Sequence, residues 1–264
     1  SFRGRVWLED EGLVEDNERF FVWNAPRKIQ VLLVAPEEQG LRWPSSRFLK
    51  EALSSPREAT WEVREVSPRE AVPLLLGNAS VPDLVLLSDT TGMSDAGFLA
   101  LRSYVESGGS LLLCTPGGAD AGMAFLNTTG FQAVPVSAKE ARTQLLSWVD
   151  LEHPVLESFQ ASQYNDFSSV RFTQYTPLRW DESREAMQVL ARMDDGHPAI
   201  VETRLGAGRM VVWAFLVQLD WTNLPKNPRF VPLLQETVRY LTEDREAPSS
   251  YRVGETPAWA SVPL

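Results

Sequence analysis

The sequence predicts an α/β fold built on a doubly wound, mostly parallel sheet. Near-continuous apolar runs stand at 28–35, 82–88 and 110–114, as in strands covered on both faces. Between them lie segments whose apolar residues fall on one helical face. The 264 residues are 44% hydrophobic and 23% charged, which excludes wholesale disorder and leaves enough apolar side chains for a sizeable core.

Each element follows from local pattern. Phe2–Leu8 and Arg19–Trp23 read as a β-hairpin around an acidic, turn-rich stretch from Glu9 to Asn17, and Ala25-Pro26 breaks the chain. Ser45–Leu53 predicts a helix with capping serines and Phe48, Leu49, Ala52 and Leu53 on its apolar face. Trp61–Val66 alternates as a strand with one wet face. Ser94 caps a helix carrying Phe98, Leu101 and Val105, and Gly108-Gly109 ends it. After the strand Ser110–Cys114 a helix is expected near 121–126. A proline-containing and hence peripheral strand follows at 131–136. Residues 139–184 are mixed and loop-rich. Strands at 187–193, 199–205 and 209–217, with turns at Asp194-Asp-Gly196 and Gly206-Ala-Gly208, predict an antiparallel meander that extends the sheet or packs beside it. Asn227–Glu243 predicts the last helix, with Pro228 and Pro232 in its first turn. The tail from Ala247 is rich in proline and serine.

Charge and cysteine content narrow the function. With 25 Lys and Arg against 35 Asp and Glu the net charge is −10, so no nucleic-acid partner is expected and no basic face for an anionic membrane. One cysteine forbids an intramolecular disulfide and a multi-cysteine zinc site, and no metal or cofactor is expected. The longest strongly apolar run, Met210–Val217, falls far short of the ~20 residues of a spanning helix. The chain starts at Ser1 in strand-like sequence. It reads as a piece of a longer protein, with any membrane anchor outside it.

Cys114 ends a buried strand at the carboxyl edge of the sheet, where open α/β folds place ligands. Asp89, Thr90, Thr115, Gly117 and Gly118 are the other residues expected to line that crevice. A nucleophile elbow needs a tight glycine-flanked turn, whereas Cys114 follows three leucines and reads as an apolar filler. His153 and His197 both precede proline and read as partly exposed turn residues that nothing local orients. Gly206-Ala-Gly208 is followed by a strand rather than a helix, so it reads as a hairpin turn and not a dinucleotide loop. Among nine tryptophans, Trp61, Trp213 and Trp221 sit in apolar sequence and read as core.

The runs Val31–Ala35, Asp83–Ser88 and Tyr104–Leu113 resemble the class I glutamine amidotransferase-like fold, a flavodoxin-like three-layer sandwich. Gly206–Ala214, Trp221–Pro225 and Arg229–Leu234 are similar to amidotransferase-like domains of bacterial membrane proteins related to the aerotolerance (Bat-type) family. The resemblance implies a main domain over 27–245. It makes residues 1–26 the last hairpin of a preceding β-sandwich, and 246–264 a linker and the start of a following β segment. It also implies an extracytoplasmic, periplasmic placement, and as partners other proteins or neighbouring β-sandwich and von Willebrand factor A-type domains. Working class I amidotransferases carry Gly-x-Cys-x-Gly and a late His-Pro-Glu. Here the residues are Leu113-Cys-Thr-Pro-Gly117, and His153-Pro154 is followed by Val155.

The expectation is therefore a non-catalytic binding or assembly domain, a pseudoenzyme. The alternatives are a cysteine hydrolase or amidotransferase using Cys114 and His153, and a carbohydrate-binding module using exposed tryptophans.

Overall fold

The computed structural model describes residues 2–7, 18–23, 28–36, 44–54, 61–77, 81–115, 121–133, 143–161, 165–180 and 187–243. The chain divides into two compact units, Ser1–Lys28 with Glu243–Leu264, and Ile29–Thr242. In the first, β1 (Phe2–Trp7) and β2 (Glu18–Trp23) form the expected antiparallel hairpin, in register from Phe2 opposite Trp23 to Trp7 opposite Glu18.

The second unit begins with β3 (Ile29–Val34), α1 (Ser45–Leu53), β4 (Trp61–Val66), α2 (Pro68–Leu76), β5 (Leu84–Leu87), α3 (Asp95–Glu106) and β6 (Ser110–Cys114). Next come α4 (Ala121–Thr129), β7 (Phe131–Ala133), β8 (Gln144–Val149), α5 (Pro154–Glu157), β9 (Arg171–Phe172) and β10 (Leu178–Trp180). The meander β11 (Met187–Met193), β12 (Pro198–Leu205) and β13 (Gly208–Trp213) leads through a 3-10 turn at Leu224–Lys226 into α6 (Phe230–Glu243).

Among the described residues nine strands form one sheet in the order β4-β3-β5-β6-β13-β12-β11-β8-β9. The first five are mutually parallel and lie in the doubly wound order 2-1-3-4-5, while the neighbours from β13 to β9 pair antiparallel. The expectation of a mostly parallel sheet thus holds for one half of it. The meander extends the sheet because β13, returning from the tight turn after β12, lies parallel beside β6, with Trp213 opposite Cys114.

Side-chain alternation along the buried strands feeds two apolar layers. Val31, Leu33, Leu86, Leu112 and Val211 point to the side holding Leu49 and Leu53 of α1 and Leu234 and Val238 of α6. Leu32, Val34, Leu87, Leu111 and Val212 point to the side holding Ala71, Phe98, Leu101 and Leu126 of α2, α3 and α4. Helices on both faces make a three-layer α/β unit.

Several details depart from the sequence reading. The helix α2 was not foreseen, because Pro73 interrupts its pattern. A capping box, in which Ser67 N–H donates to Glu70 Oε2 (2.9 Å) and Glu70 N–H to Ser67 Oγ (3.4 Å), starts it with Pro68 in the first turn. At α1 the N-cap is Pro44, and the serines sit inside the first turn rather than capping it. The strand β13 stops at Trp213, level with the end of β6 at Cys114, although Ala214 N–H still donates to the Ala199 carbonyl (2.9 Å) and Ala214–Val217 stay buried. Helix α6 begins at Phe230, with Pro228 before it. The peripheral strand expected at 131–136 is present as β7, paired with β10 outside the large sheet, and 134–136 fall outside the described residues. Gly206, at φ +62°, and Gly208 form the predicted hairpin turn. A Cβ on Gly208 would lie 2.0 Å from the Val105 carbonyl, so only glycine lets this turn sit on the end of α3.

Candidate functional site

The carboxyl edge of the parallel strands gathers most of the residues singled out above. After β5, Asp89 closes a turn in which its Oδ1 accepts from both the backbone N–H and the hydroxyl of Thr91, each at 2.9 Å. Thr90 is buried, and α4 rests directly on it: a Cβ on Gly122 would stand 2.4 Å from Thr90 Oγ1. After β6, Thr115 turns back into the sheet. Its N–H and Oγ1 both donate to the Trp213 carbonyl (3.0 and 3.3 Å), and its own carbonyl accepts from Thr176 Oγ1 at 3.2 Å. Gly117 and Gly118 lie outside the described residues.

Cys114 has no exposed surface. Burial pushes its thiol well above the ordinary range, and the Asp89 carboxylate adds to that. A thiolate is therefore strongly disfavoured at this position.

His197 lies at the same edge, in the β11–β12 turn. Its backbone N–H donates to Asp195 Oδ1 (3.0 Å), the other oxygen of Asp195 accepts from the Tyr175 hydroxyl, and the Tyr175 and His197 rings are 6.3 Å apart. Burial, followed by the bond to Asp195 and the charges of Asp195 and Asp194, holds the phenol protonated far into the alkaline range. A cavity of about 360 Å³ opens at the other end of the edge, beyond β3 and β4, lined by Ala35, Pro36, Pro44, Ser46, Ser67 and Glu70 among others.

His153 corrects the sequence reading. It is 4% exposed rather than a partly exposed turn residue: it is the N-cap of α5, and its ring packs edge-on against Tyr240 of α6, with centroids 4.8 Å apart. Val155 N–H donates to Nδ1 (3.2 Å), which leaves the ring proton on Nε2, facing Glu202 Oε2 at 2.9 Å. The Tyr240 hydroxyl donates to the same carboxylate (2.8 and 2.9 Å), and Arg209 Nε lies 3.2 Å from Glu202 Oε1. The Arg209 guanidinium also stacks 4.4 Å from the Tyr240 ring. Burial works to raise the Glu202 carboxyl, but hydrogen bonds from His153 and Tyr240 and the positive charge of Arg209 outweigh it and hold the group below its ordinary value.

Both nitrogens of His153 are thus committed, and neither bonds Cys114. Sequence reasoning missed Glu202, Tyr240 and Arg209. The available signal was a carboxylate in the strand Ala199-Ile-Val-Glu202, two residues after Ile200 and so on the same buried face.

Among the described tryptophans, Trp213 is buried, Trp61 and Trp221 pack half-buried against the core, and Trp148 on β8 and Trp7 on β1 are 46% and 60% exposed. No group of three or more His, Cys, Asp or Glu side chains among the described residues is placed to hold a metal ion.

No protein-family model and no curated protein matches the chain. Solved structures do. A ThuA-like protein from Bacteroides uniformis is similar with a TM-score of 0.58 at 12% identity, over 83% of this chain and 94% of that one. Two proteins of Salmonella typhimurium, both described as cytoplasmic, are similar with TM-scores of 0.56 and 0.55 at 13% and 14% identity, over 81% and 83% of this chain and 98% and 100% of theirs. At such identity the likeness is one of fold alone. The extracytoplasmic, periplasmic placement expected from the sequence is corrected here. Both Salmonella structures are described as cytoplasmic proteins, and no helix among the described residues is long and apolar enough to cross a membrane.

Proposed function

We propose that the chain is a non-catalytic, class I glutamine amidotransferase-like module for binding or assembly, meeting its ligand or partner at the carboxyl edge of the parallel strands. The state of Cys114 carries this reading. The one thiol at the edge is walled into β6 with its proton held on, and the buried histidine is spent on Glu202. A cysteine enzyme needs the reverse, a partly exposed sulfur with a base in reach.

The narrower kinship, to Bat-type proteins, belongs to the same proposal. It rests on Gly206–Ala214, Trp221–Pro225 and Arg229–Leu234. Part of that signature serves the fold: Thr222 Oγ1 donates to the Arg171 carbonyl (2.8 Å), and Asn223 Oδ1 accepts from Arg171 N–H (2.8 Å).

Alkylation with iodoacetamide at neutral pH, run beside a glutamine-hydrolysis assay, tests the proposal. Slow labelling, no ammonia release and a near-silent Cys114→Ser variant are expected. Rapid labelling with turnover abolished by that substitution would make the chain a cysteine hydrolase.

A further inference from the structure

We propose that β4 is a self-association strand, through which two copies of this chain pair antiparallel about a two-fold axis at Val63. β4 is the end strand of the nine-stranded sheet, and among the described residues no strand lies outside it. Ala35 N–H donates to the Val66 carbonyl, so the even-numbered residues of β4 turn their backbone groups toward β3. By strand alternation the amides and carbonyls of Trp61, Val63 and Glu65 face away from the sheet. An edge with three residues of outward donors and acceptors is a template for one more strand.

The side chains select the occupant. Glu62 and Arg64 lie on one face of β4, both exposed; Glu62 Oε2 accepts from Gln30 Nε2 (3.0 Å), and the charge of Arg64 reaches Glu70 at the start of α2. With the axis at Val63, Glu62 of one copy stands opposite Arg64 of the other, and symmetry repeats the pair. These are non-hydrogen-bonded positions, where facing side chains come closest. Moving the axis by one residue sets Glu62 against Glu62 or Arg64 against Arg64, so the charges choose one register. On the other face the half-buried Val63 side chains meet, and Trp61 of one copy comes beside the Lys50–Glu65 pair of the other, which is 3.0 Å long. A strand that is complementary to itself in this way forms a closed, isologous dimer. The inference is independent of the proposed function, since an active enzyme could pair through the same edge.

Sedimentation velocity from micromolar to millimolar concentration, with a thermal melt of each variant, tests this. The wild-type chain should dimerise in a concentration-dependent way. Glu62→Arg and Arg64→Glu should each weaken association by about tenfold, since two attractive pairs become repulsive. The double variant, which exchanges the charges across the axis, should restore it. Val63→Pro removes an outward amide that the β3–β4 ladder does not use, so it should abolish the dimer and keep a cooperative melt. A chain that stays monomeric at every concentration overturns the proposal. So does a dimer that ignores both charge reversals, or one that the double variant fails to restore.

Discussion

Glu202 carries a charge inside the fold because three side chains, His153, Tyr240 and Arg209, converge on it, and that has a consequence in acid. Its folded pKa lies below the ordinary 4.5, so its contribution to stability is complete above that value and is lost as pH falls through the folded pKa. Between neutral pH and pH 3 the wild-type chain should therefore lose more thermal stability than Glu202→Gln, whose melting temperature starts lower and falls less steeply. Calorimetric melts of the two proteins across that range check the sign. Parallel curves would mean that folding leaves the Glu202 carboxyl at its ordinary value. Truncation is the harsher change: Glu202→Ala leaves Arg209 without its carboxylate and should cost about 3–5 kcal/mol in urea unfolding. Little of this network was legible in the sequence. His153 showed only as a residue before a proline, and its partners lie 49, 56 and 87 positions further on, at Glu202, Arg209 and Tyr240. Cys114 was easier to read, because three leucines before it already implied a buried strand.

At the level of elements, legibility followed how far each segment explains itself. β3, β5 and β6 are buried on both faces, so their composition alone marks them, and α3 carries its own serine cap, with Ser94 Oγ accepting from Gly97 N–H at 3.2 Å. By contrast β8, β9 and β10 are short or half-exposed and owe their existence to partners far along the chain: β8 to β11, β10 to β7. The seat of α4 was hidden for a similar reason, since Gly122 matters only through Thr90. Gly122→Ala should drive a methyl group into Thr90 and cost about 1–3 kcal/mol by overpacking, read as a lower urea midpoint with an unchanged slope. If the midpoint does not move, α4 can lift from β5 at no cost and the crevice there is loosely held.

For the whole molecule, the doubly wound half and the meander act as one sheet because β13 supplies the fifth parallel strand and also the hairpin partner of β12. Among the described residues, both apolar layers are built from side chains between Ile29 and Leu241. The hairpin β1–β2 falls in the other compact unit, together with the tail. If the layers alone hold the large unit together, removing residues 1–24 should leave a protein that melts in a single cooperative transition, since cooperativity comes from burying a shared core rather than from an added hairpin. Its melting temperature should stay within a few degrees of the full chain's. The near-ultraviolet circular dichroism of Trp213 and its neighbours should persist, because Trp213 is fully buried against Phe215 in the retained unit. An aggregated product, or a broad melt without near-ultraviolet signal, would make the hairpin an integral part of the α/β unit and move the domain boundary to the start of the chain.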